Sequence, residues 1–276
     1  MHVAVASSSG RRAALGDSHT VVVFDPGIGV LSKRFETTFD GMPQRLALSD
    51  EFDALLTASY WVHGLASYCA ENGRERWRRK DLVRVERISL ARDGLTAYCG
   101  RHKGSLAVVD VGSGESIRTI RGAYSVHESM FDPVHFVDSA RPRLLDDVGG
   151  RSIGVSRTTF AFLDVGFGPG RAFVTESAGP VRCLDIADGS ERWRYVPEPG
   201  CHVLSLGYQT AESLLLGVEW AYESGGPKRL IRWSEDDGSV IDTTLLGNPI
   251  DCCIGLAGEV VVSTDGRIIS TSRTRS

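Results

Sequence analysis

The chain has 276 residues, a formal net charge of −4, 42% hydrophobic residues and 24% charged residues. This composition is sufficient for a buried core, and it lacks the basic excess that binds nucleic-acid phosphates or anionic membranes. The N-terminal segment lacks a secretory pattern, and no apolar run reaches the ~18 residues of a membrane helix. We therefore expect a cytoplasmic protein with no nucleic-acid and no membrane partner.

Along the chain, a short apolar run repeatedly ends in a turn that closes on a glycine, four residues after a mostly acidic position. We call these the anchor glycines: Gly29, Gly73, Gly114, Gly150, Gly189 and Gly238. They lie 44, 41, 36, 39 and 49 residues apart, and the copy ending at Gly150 is the weakest. A period near 42 residues, made of short alternating strands, is typical of a β-propeller with one four-stranded blade per repeat.

The length then predicts an all-β, seven-bladed β-propeller of four-stranded antiparallel blades, as a single domain over residues 1–276. In chain order the predicted blades cover 3–37, 45–79, 86–120, about 126–157, 158–195, 202–246 and a last stretch from 251. The last stretch contains three strands. Either the chain opens on an inner strand and the last blade keeps three strands, or residues 2–7 supply the missing outer strand. In both cases the incomplete blade lies at the chain termini.

Two predicted outer strands carry a tryptophan four residues after the anchor glycine, at Trp77 and Trp193. This pattern resembles the repeats of the quinoprotein (PQQ-like) propeller superfamily, and the third repeat looks closer to a WD40-like blade. The resemblance implies that the two tryptophans dock between neighbouring blades. Since these superfamilies include enzymes, scaffolds and sensors, the resemblance implies a fold and no particular activity.

The adjacent pair Cys252-Cys253 invites comparison with the cysteines that lie above PQQ in quinoprotein dehydrogenases. Those enzymes, however, resemble this chain only in their repeats, since they have eight blades and a calcium site. The pair lies in a predicted inner strand, where its thiols would alternate between the two faces of the sheet. None of the six cysteines forms a C-x-x-C pair, which favours free thiols that behave as small hydrophobes. We expect no cofactor and no metal.

No local catalytic motif is present, because the seven histidines form neither H-x-x-x-H nor H-E-x-x-H and there is no G-x-S-x-G elbow. We therefore expect a binding module rather than an enzyme, with no catalytic residues assigned. Propeller enzymes collect their residues from several blades. The alternative is thus a propeller-type lyase or hydrolase with a His/acid site at the mouth of the central channel.

In a propeller, the turn between the second and third strands of each blade lies on the same face as the connections between blades. Aromatic and basic residues, which are enriched at binding hot spots, occur in several of these segments. The predicted binding residues are Trp61, His63, Arg101, His102, Lys103, Tyr124, His127, Trp220, Tyr222 and Lys228. We expect them to recognise a protein or peptide partner. The alternative reading is that Trp61 and Trp220 fold back and cap their own blades. The sequence leaves the oligomeric state open.

Overall fold

The computed structural model describes residues 3–7, 12–17, 20–25, 30–36, 45–59, 64–102, 104–157, 162–210, 212–221, 228–246, 249–254, 260–264 and 267–270. Within these ranges the chain forms 27 β-strands and no α-helix, which confirms the all-β prediction. The described residues accordingly include no helix that is long and apolar enough to cross a membrane.

The described strands form six antiparallel sheets of four strands and one of three, and every sheet takes its strands in chain order. Sheet 1 contains β1 (Val3–Ala6), β2 (Ala13–Asp17), β3 (Thr20–Asp25) and β4 (Val30–Glu36). Sheet 2 contains β5 (Arg45–Ser49), β6 (Ala54–Ala58), β7 (Leu65–Cys69) and β8 (Glu75–Arg79). Sheet 3 contains β9 (Val85–Leu90), β10 (Thr96–Arg101), β11 (Ser105–Asp110) and β12 (Ser116–Arg121).

The remaining sheets follow the same order. Sheet 4 contains β13 (Ala123–Glu128), β14 (Val134–Ser139), β15 (Arg143–Asp146) and β16 (Ser152–Gly154). Sheet 5 contains β17 (Phe162–Gly168), β18 (Arg171–Glu176), β19 (Val181–Asp185) and β20 (Glu191–Tyr195). Sheet 6 contains β21 (Cys201–Gln209), β22 (Leu214–Ala221), β23 (Arg229–Ser234) and β24 (Val240–Leu245). Sheet 7 contains β25 (Pro249–Ile254), β26 (Val260–Thr264) and β27 (Arg267–Ser270).

The first strand of the chain settles which of the two predicted arrangements of the termini applies. β1 pairs with β2, with Val3 opposite Gly16 and Ala6 opposite Ala13, so it is the first strand of sheet 1. Sheet 7 has three strands over the described residues. The cysteine pair 252–253 lies in its first strand, as predicted.

Chain contacts divide the protein into two units, one comprising Met1–Glu128 with Val137–Ala140 and the other Ser129–Phe136 with Arg141–Ser276. In the first unit the leading strands of successive sheets are neighbours, since β5 contacts β1 and β9, and β9 contacts β13. Apolar side chains of sheets 2 and 3 share one core, which includes Leu56, Leu65, Val85 and Val109. Side-by-side leading strands with a core between consecutive sheets are what propeller blades require.

The second unit repeats this arrangement, because β21 contacts both β17 and β25. A core between sheets 4 and 5 contains Phe136 and Phe162, whose rings meet edge to face with centroids 5.1 Å apart. The core between sheets 5 and 6 is the more aromatic one and includes Phe173, Tyr208 and Trp233.

The repeated acidic position is explained by the turn between the third and fourth strands. In sheet 3, Gly114 N–H donates to the Asp110 carbonyl at 2.9 Å, and Asp110 Oδ1 accepts the Ser113 N–H at 2.7 Å. Sheet 5 repeats both bonds, from Gly189 to the Asp185 carbonyl at 2.8 Å and from Ala187 N–H to Asp185 Oδ1 at 2.8 Å. Both glycines have left-handed backbones, with φ of 77° and 75°, a conformation that glycine adopts without steric cost.

The two outer-strand tryptophans pack against neighbouring sheets, as the resemblance implied. Trp77 on β8 donates from Nε1 to the Val111 carbonyl of sheet 3 at 2.9 Å, and its ring covers Gly114. Trp193 on β20 makes the equivalent bond to the Glu235 carbonyl of sheet 6 at 2.8 Å, and its ring covers Gly238. A Cβ on either glycine would lie 2.6 Å from the indole, so the glycine makes room for the ring.

One predicted boundary was wrong. Sheet 4 was predicted to start near residue 126, with Tyr124 and His127 in the connection from sheet 3. Instead, residues Ala123–Glu128 form β13, and Gly122 alone connects it to β12. A single residue suffices because Gly122 has a φ of 77°, which reverses the chain without a longer loop. Tyr124 and His127 are therefore strand residues.

Candidate functional site

Six of the ten predicted binding residues lie in the described part of the chain, and the other four, Trp61, His63, Lys103 and Tyr222, lie outside it. The end of a sheet that carries the turn between its second and third strands also carries its connections to neighbouring sheets. We call it the B–C end. Arg101 is the last residue of β10 and His102 follows it, so both lie at the B–C end of sheet 3, as predicted.

The turn after β10 is fixed to the segment that leads into β9. His102 N–H donates to the Arg84 carbonyl at 3.0 Å, and Arg84 has a left-handed φ of 56°, which is uncommon for a residue other than glycine. His102 Nδ1 lies 2.8 Å from Glu86 Oε1, and the two side chains are each 43% exposed. The imidazole is therefore held in one orientation at a surface open to water.

Tyr124 is presented next to this turn by close backbone packing. Gly122 N–H donates to the Gly104 carbonyl at 2.8 Å, which ties the start of β13 to the turn of sheet 3. A Cβ on Gly100 would collide with the Tyr124 carbonyl, so glycine is needed for β13 to approach β10. The Tyr124 ring lies over Gly104 and remains 40% exposed. A large, partly apolar side chain is thus exposed on a rigid strand.

Positive charge predominates at the B–C end of sheet 3 in the described part of the chain. The strand ends and connections there supply Lys80, Arg84, Arg101 and Arg121, which together with Tyr124 we call the basic end. The carboxylates nearby already have side-chain partners, since Glu86 forms a hydrogen bond with His102 and Asp81 forms an ion pair with Arg79.

Arg79 donates to Asp81 from Nε at 2.8 Å and from Nη2 at 2.7 Å, and these hydrogen bonds lower the pKa of Asp81. Because the four cationic side chains of the basic end outnumber these two carboxylates, the basic end can attract an anionic group.

His127 lies inside β13, whereas it was predicted in a connection between sheets. Its Nε2 lies 3.1 Å from Ser125 Oγ within β13. Burial, with a smaller contribution from the positive charge of Arg87, lowers the pKa of His127 to about 3. The imidazole is therefore a neutral structural group at ordinary pH.

In the second unit, Trp220 and Lys228 meet at the B–C end of sheet 6. Lys228 Nζ lies 5.7 Å from the centre of the Trp220 ring, within the range of a cation–π contact. Lys228 is only 9% exposed, whereas the sequence predicted it in an open loop. The reason is local: its carbonyl accepts the Leu246 N–H at 2.9 Å, which draws the residue onto its own sheet. The pair covers the end of sheet 6, and the Trp220 side chain remains partly exposed.

Two buried carboxylates lie at equivalent strand ends in this unit. Glu176 at the end of β18 is fully buried and lies 3.2 Å from Arg182 Nη1, while Glu219 near the end of β22 is 1% exposed and pairs with Arg229. Tyr195 also donates to Glu219 Oε2 at 3.1 Å. Burial and Glu219 raise the pKa of Tyr195 to about 12. The available signal was a glutamate at or near the end of the second strand in each of these two sheets.

Among the described residues, one group could be considered for a metal ion. Ligand atoms of Asp53, Cys69 and Glu71 lie within 4.8 Å of one another. The Arg12 guanidinium already forms an ion pair with Asp53, and Cys69 Sγ donates to Asp53 Oδ2 at 3.4 Å. Because a cation already neutralises this carboxylate, the group fits a structural role at a turn.

No family model matches this sequence, and no curated protein matches it in a sequence comparison. Among solved structures, the chain is similar to the crystal structure of BamB from Moraxella catarrhalis, with a TM-score of 0.61 and 13% sequence identity. The match covers 97% of this chain and 80% of that chain. This likeness supports a β-propeller fold. At this identity it shows the fold alone.

Proposed function

We propose that this protein is a non-catalytic β-propeller module that binds a protein or peptide partner at the B–C ends of its sheets. The observation that carries the proposal is the basic end, where Tyr124 is 40% exposed beside basic side chains whose acidic neighbours are already paired. Tyrosine and arginine are enriched among the residues that dominate protein interfaces. The excess of positive charge favours a partner segment with carboxylates.

The rigidity of this surface supports binding as well. Tyr124 lies on a strand that Gly100 and Gly104 hold close to sheet 3, and His102 is fixed through Arg84 and Glu86. Side chains that are ordered before a partner arrives lose less conformational entropy when it binds. In the second unit, Trp220 offers a separate, partly open aromatic face at an equivalent strand end.

We also propose that the seven sheets are the blades of one seven-bladed propeller in which sheet 7 is the incomplete blade. The common strand order of the sheets, the neighbouring leading strands within each unit and the likeness to BamB support this reading. A crystal structure that contained six or eight blades would contradict it.

Panning a random peptide library on phage against the immobilised protein tests the proposed binding surface. We expect acidic peptides to be enriched, and we expect their binding to be lost in Arg101→Ala and Tyr124→Ala while the melting temperature stays close to that of the parent. Trp220→Ala tests the second unit in the same assay. Selected peptides that bind all three variants as tightly as the parent would refute binding at the B–C ends.

A further inference from the structure

The outer strand of sheet 6 exposes two large apolar side chains on one of its faces. In β24, Ile241 is 55% exposed and Leu245 is 65% exposed, and the exposed Thr243 lies between them on the same face. The other face is occupied, since Arg232 Nη1 donates to Asp242 Oδ2 at 2.6 Å and to Thr244 Oγ1 at 3.3 Å. The one charge of this strand is thus already paired within the sheet.

Other outer strands carry the features by which proteins prevent edge-to-edge association, namely charged side chains or short length. β8 has the sequence ERWRR, β12 has two arginines, and β20 has the sequence ERWRY. β16 has only three residues. β24, with the sequence VIDTTL, has six residues and a single charge. It is therefore the unprotected edge among these strands.

The backbone of β24 is directed so that it can accept another strand. Leu246 N–H donates to the Lys228 carbonyl at 2.9 Å, and residues 244 and 242 oppose 230 and 232 in the continuing register. Because successive residues of an antiparallel strand direct their polar groups to opposite sides, the N–H and C=O groups of Thr243 and Leu245 point away from β23, whereas the register shifts at Ile241. No strand pairs with this outer edge in the part of the chain that the structure describes.

We propose that β24 pairs antiparallel with β24 of a second copy of this chain, about a two-fold axis at Thr243. In this register Ile241 lies opposite Leu245 of the second copy, Thr243 opposite Thr243, and Asp242 opposite Thr244. Apolar side chains meet apolar ones, and no charge faces a like charge, so the strand is complementary to itself. The outward N–H and C=O groups of Thr243 in the two copies supply two hydrogen bonds across the axis. The result is a two-fold symmetric interface of the common isologous type.

The second copy fits this edge better than a peptide of different composition because the sequence provides its own complement in one register. Pairing of two short strands buries less than the ~1,200 Å² typical of stable interfaces. The dimer is therefore weak and forms as the protein concentration rises. It is independent of the proposed binding at the B–C ends, because β24 is the outer strand of its sheet.

Sedimentation velocity over a concentration series up to high micromolar tests the proposal. We expect a monomer–dimer equilibrium that Thr243→Lys weakens by at least about tenfold, because two lysines then face each other across the axis. The control is Ile117→Lys on β12, since Ile117 and Thr243 are both exposed residues of an outer strand. Circular dichroism checks that both variants remain folded.

Cross-linking tests the register itself. A directly opposed, hydrogen-bonded pair has Cα atoms about 5.5 Å apart, which lies within the range of a disulfide. With oxidised glutathione as the oxidant, Thr243→Cys should form a reducible covalent dimer well beyond the level of the parent, whereas Ile117→Cys should not. A protein that is monomeric throughout the series, or a dimer that Thr243→Lys leaves unchanged, would overturn the proposal.

Discussion

At the scale of single residues, each outer-strand tryptophan depends on a glycine of the next sheet. Trp193 is 7% exposed, and its indole both donates a hydrogen bond and covers Gly238. Sheet 3 has Arg118 at the corresponding position, four residues after its anchor glycine, and that side chain is exposed. The same position in the repeat is therefore a buried packing residue in sheet 5 and a solvent-exposed residue in sheet 3.

We predict that Trp193→Ala lowers the free energy of unfolding by about 3–5 kcal/mol, because a buried aromatic side chain is lost. Trp193→Phe keeps most of the ring and should cost about 1 kcal/mol for the lost hydrogen bond, after allowance for repacking. Urea denaturation measures both. Arg118→Ala is the control and should remain within about 0.5 kcal/mol of the parent. A loss for Trp193→Ala as small as that of the control would show that the indole does not hold the two sheets together.

Substitutions at two anchor glycines distinguish the cost of a left-handed backbone from the cost of a steric clash with a neighbouring side chain. Gly114 and Gly150 have φ values of 77° and 64° at equivalent turns, but only Gly114 faces a tryptophan ring. Alanine at either position incurs the left-handed strain of about 1–2 kcal/mol. Gly114→Ala should cost at least about 1 kcal/mol more than Gly150→Ala because the ring must move. Thermal and urea unfolding of the two variants should show this difference, and equal losses would contradict it.

The low pKa of His127 leads to a prediction of how the free energy of unfolding changes with pH. Its pKa is about 3 in the folded protein and about 6.5 in an unfolded chain, so the unfolded state binds the extra proton between these values. The neutral imidazole makes its full contribution to the free energy of unfolding above pH ~6.5. As the pH decreases below this value, the free energy of unfolding falls by up to about 1.4 kcal/mol per pH unit. His127→Gln should flatten this slope in urea unfolding measured from pH 7 to pH 4.5. Identical slopes would show that the imidazole is not kept neutral.

At the scale of elements, the sequence predicts the strands well because each repeat carries its own turn chemistry. The Asp110 and Asp185 turns follow from a short side chain that accepts local N–H groups and from a glycine that takes the left-handed conformation. The connection between sheets 3 and 4 was missed because Gly122 alone makes the reversal, and the residues after it were interpreted as a loop.

The acidic turns make a prediction about low pH. The Ser113 N–H lowers the pKa of Asp110, and the Ala187 N–H, followed by Arg192, lowers that of Asp185. Depressed carboxyl pKa values contribute stability above pH ~4 that is lost as the pH falls further. The double variant Asp110→Asn with Asp185→Asn keeps both acceptor oxygens but removes the charges. It should be less stable at pH 7 yet lose less stability between pH 4 and pH 3 in urea unfolding. A loss equal to that of the parent would contradict this account.

At the scale of the whole molecule, the sequence predicts which strand ends carry the candidate binding residues. It does not predict which side chains contact one another there. Strand order places Arg101 and His102 at the B–C end, and the structure agrees. The sequence did not reveal that Lys228 lies against Trp220 or that Glu219 pairs with Arg229, because both contacts depend on how strand ends approach one another. Ion pairing of this kind decides how much charge a strand end presents to a partner.

The most direct test of the account is the affinity of one selected acidic peptide for the parent, Tyr124→Ala and Leu95→Ala, measured by isothermal titration calorimetry with melting temperatures from the same samples. Leu95 is the matched control, since it is 43% exposed and follows the first-to-second-strand turn of sheet 3, at the other end from the basic end. We predict that Tyr124→Ala weakens binding by at least about tenfold, equivalent to about 1.4 kcal/mol, with a nearly unchanged melting temperature, while Leu95→Ala binds as the parent does. Equal affinities for all three proteins would contradict recognition at the basic end.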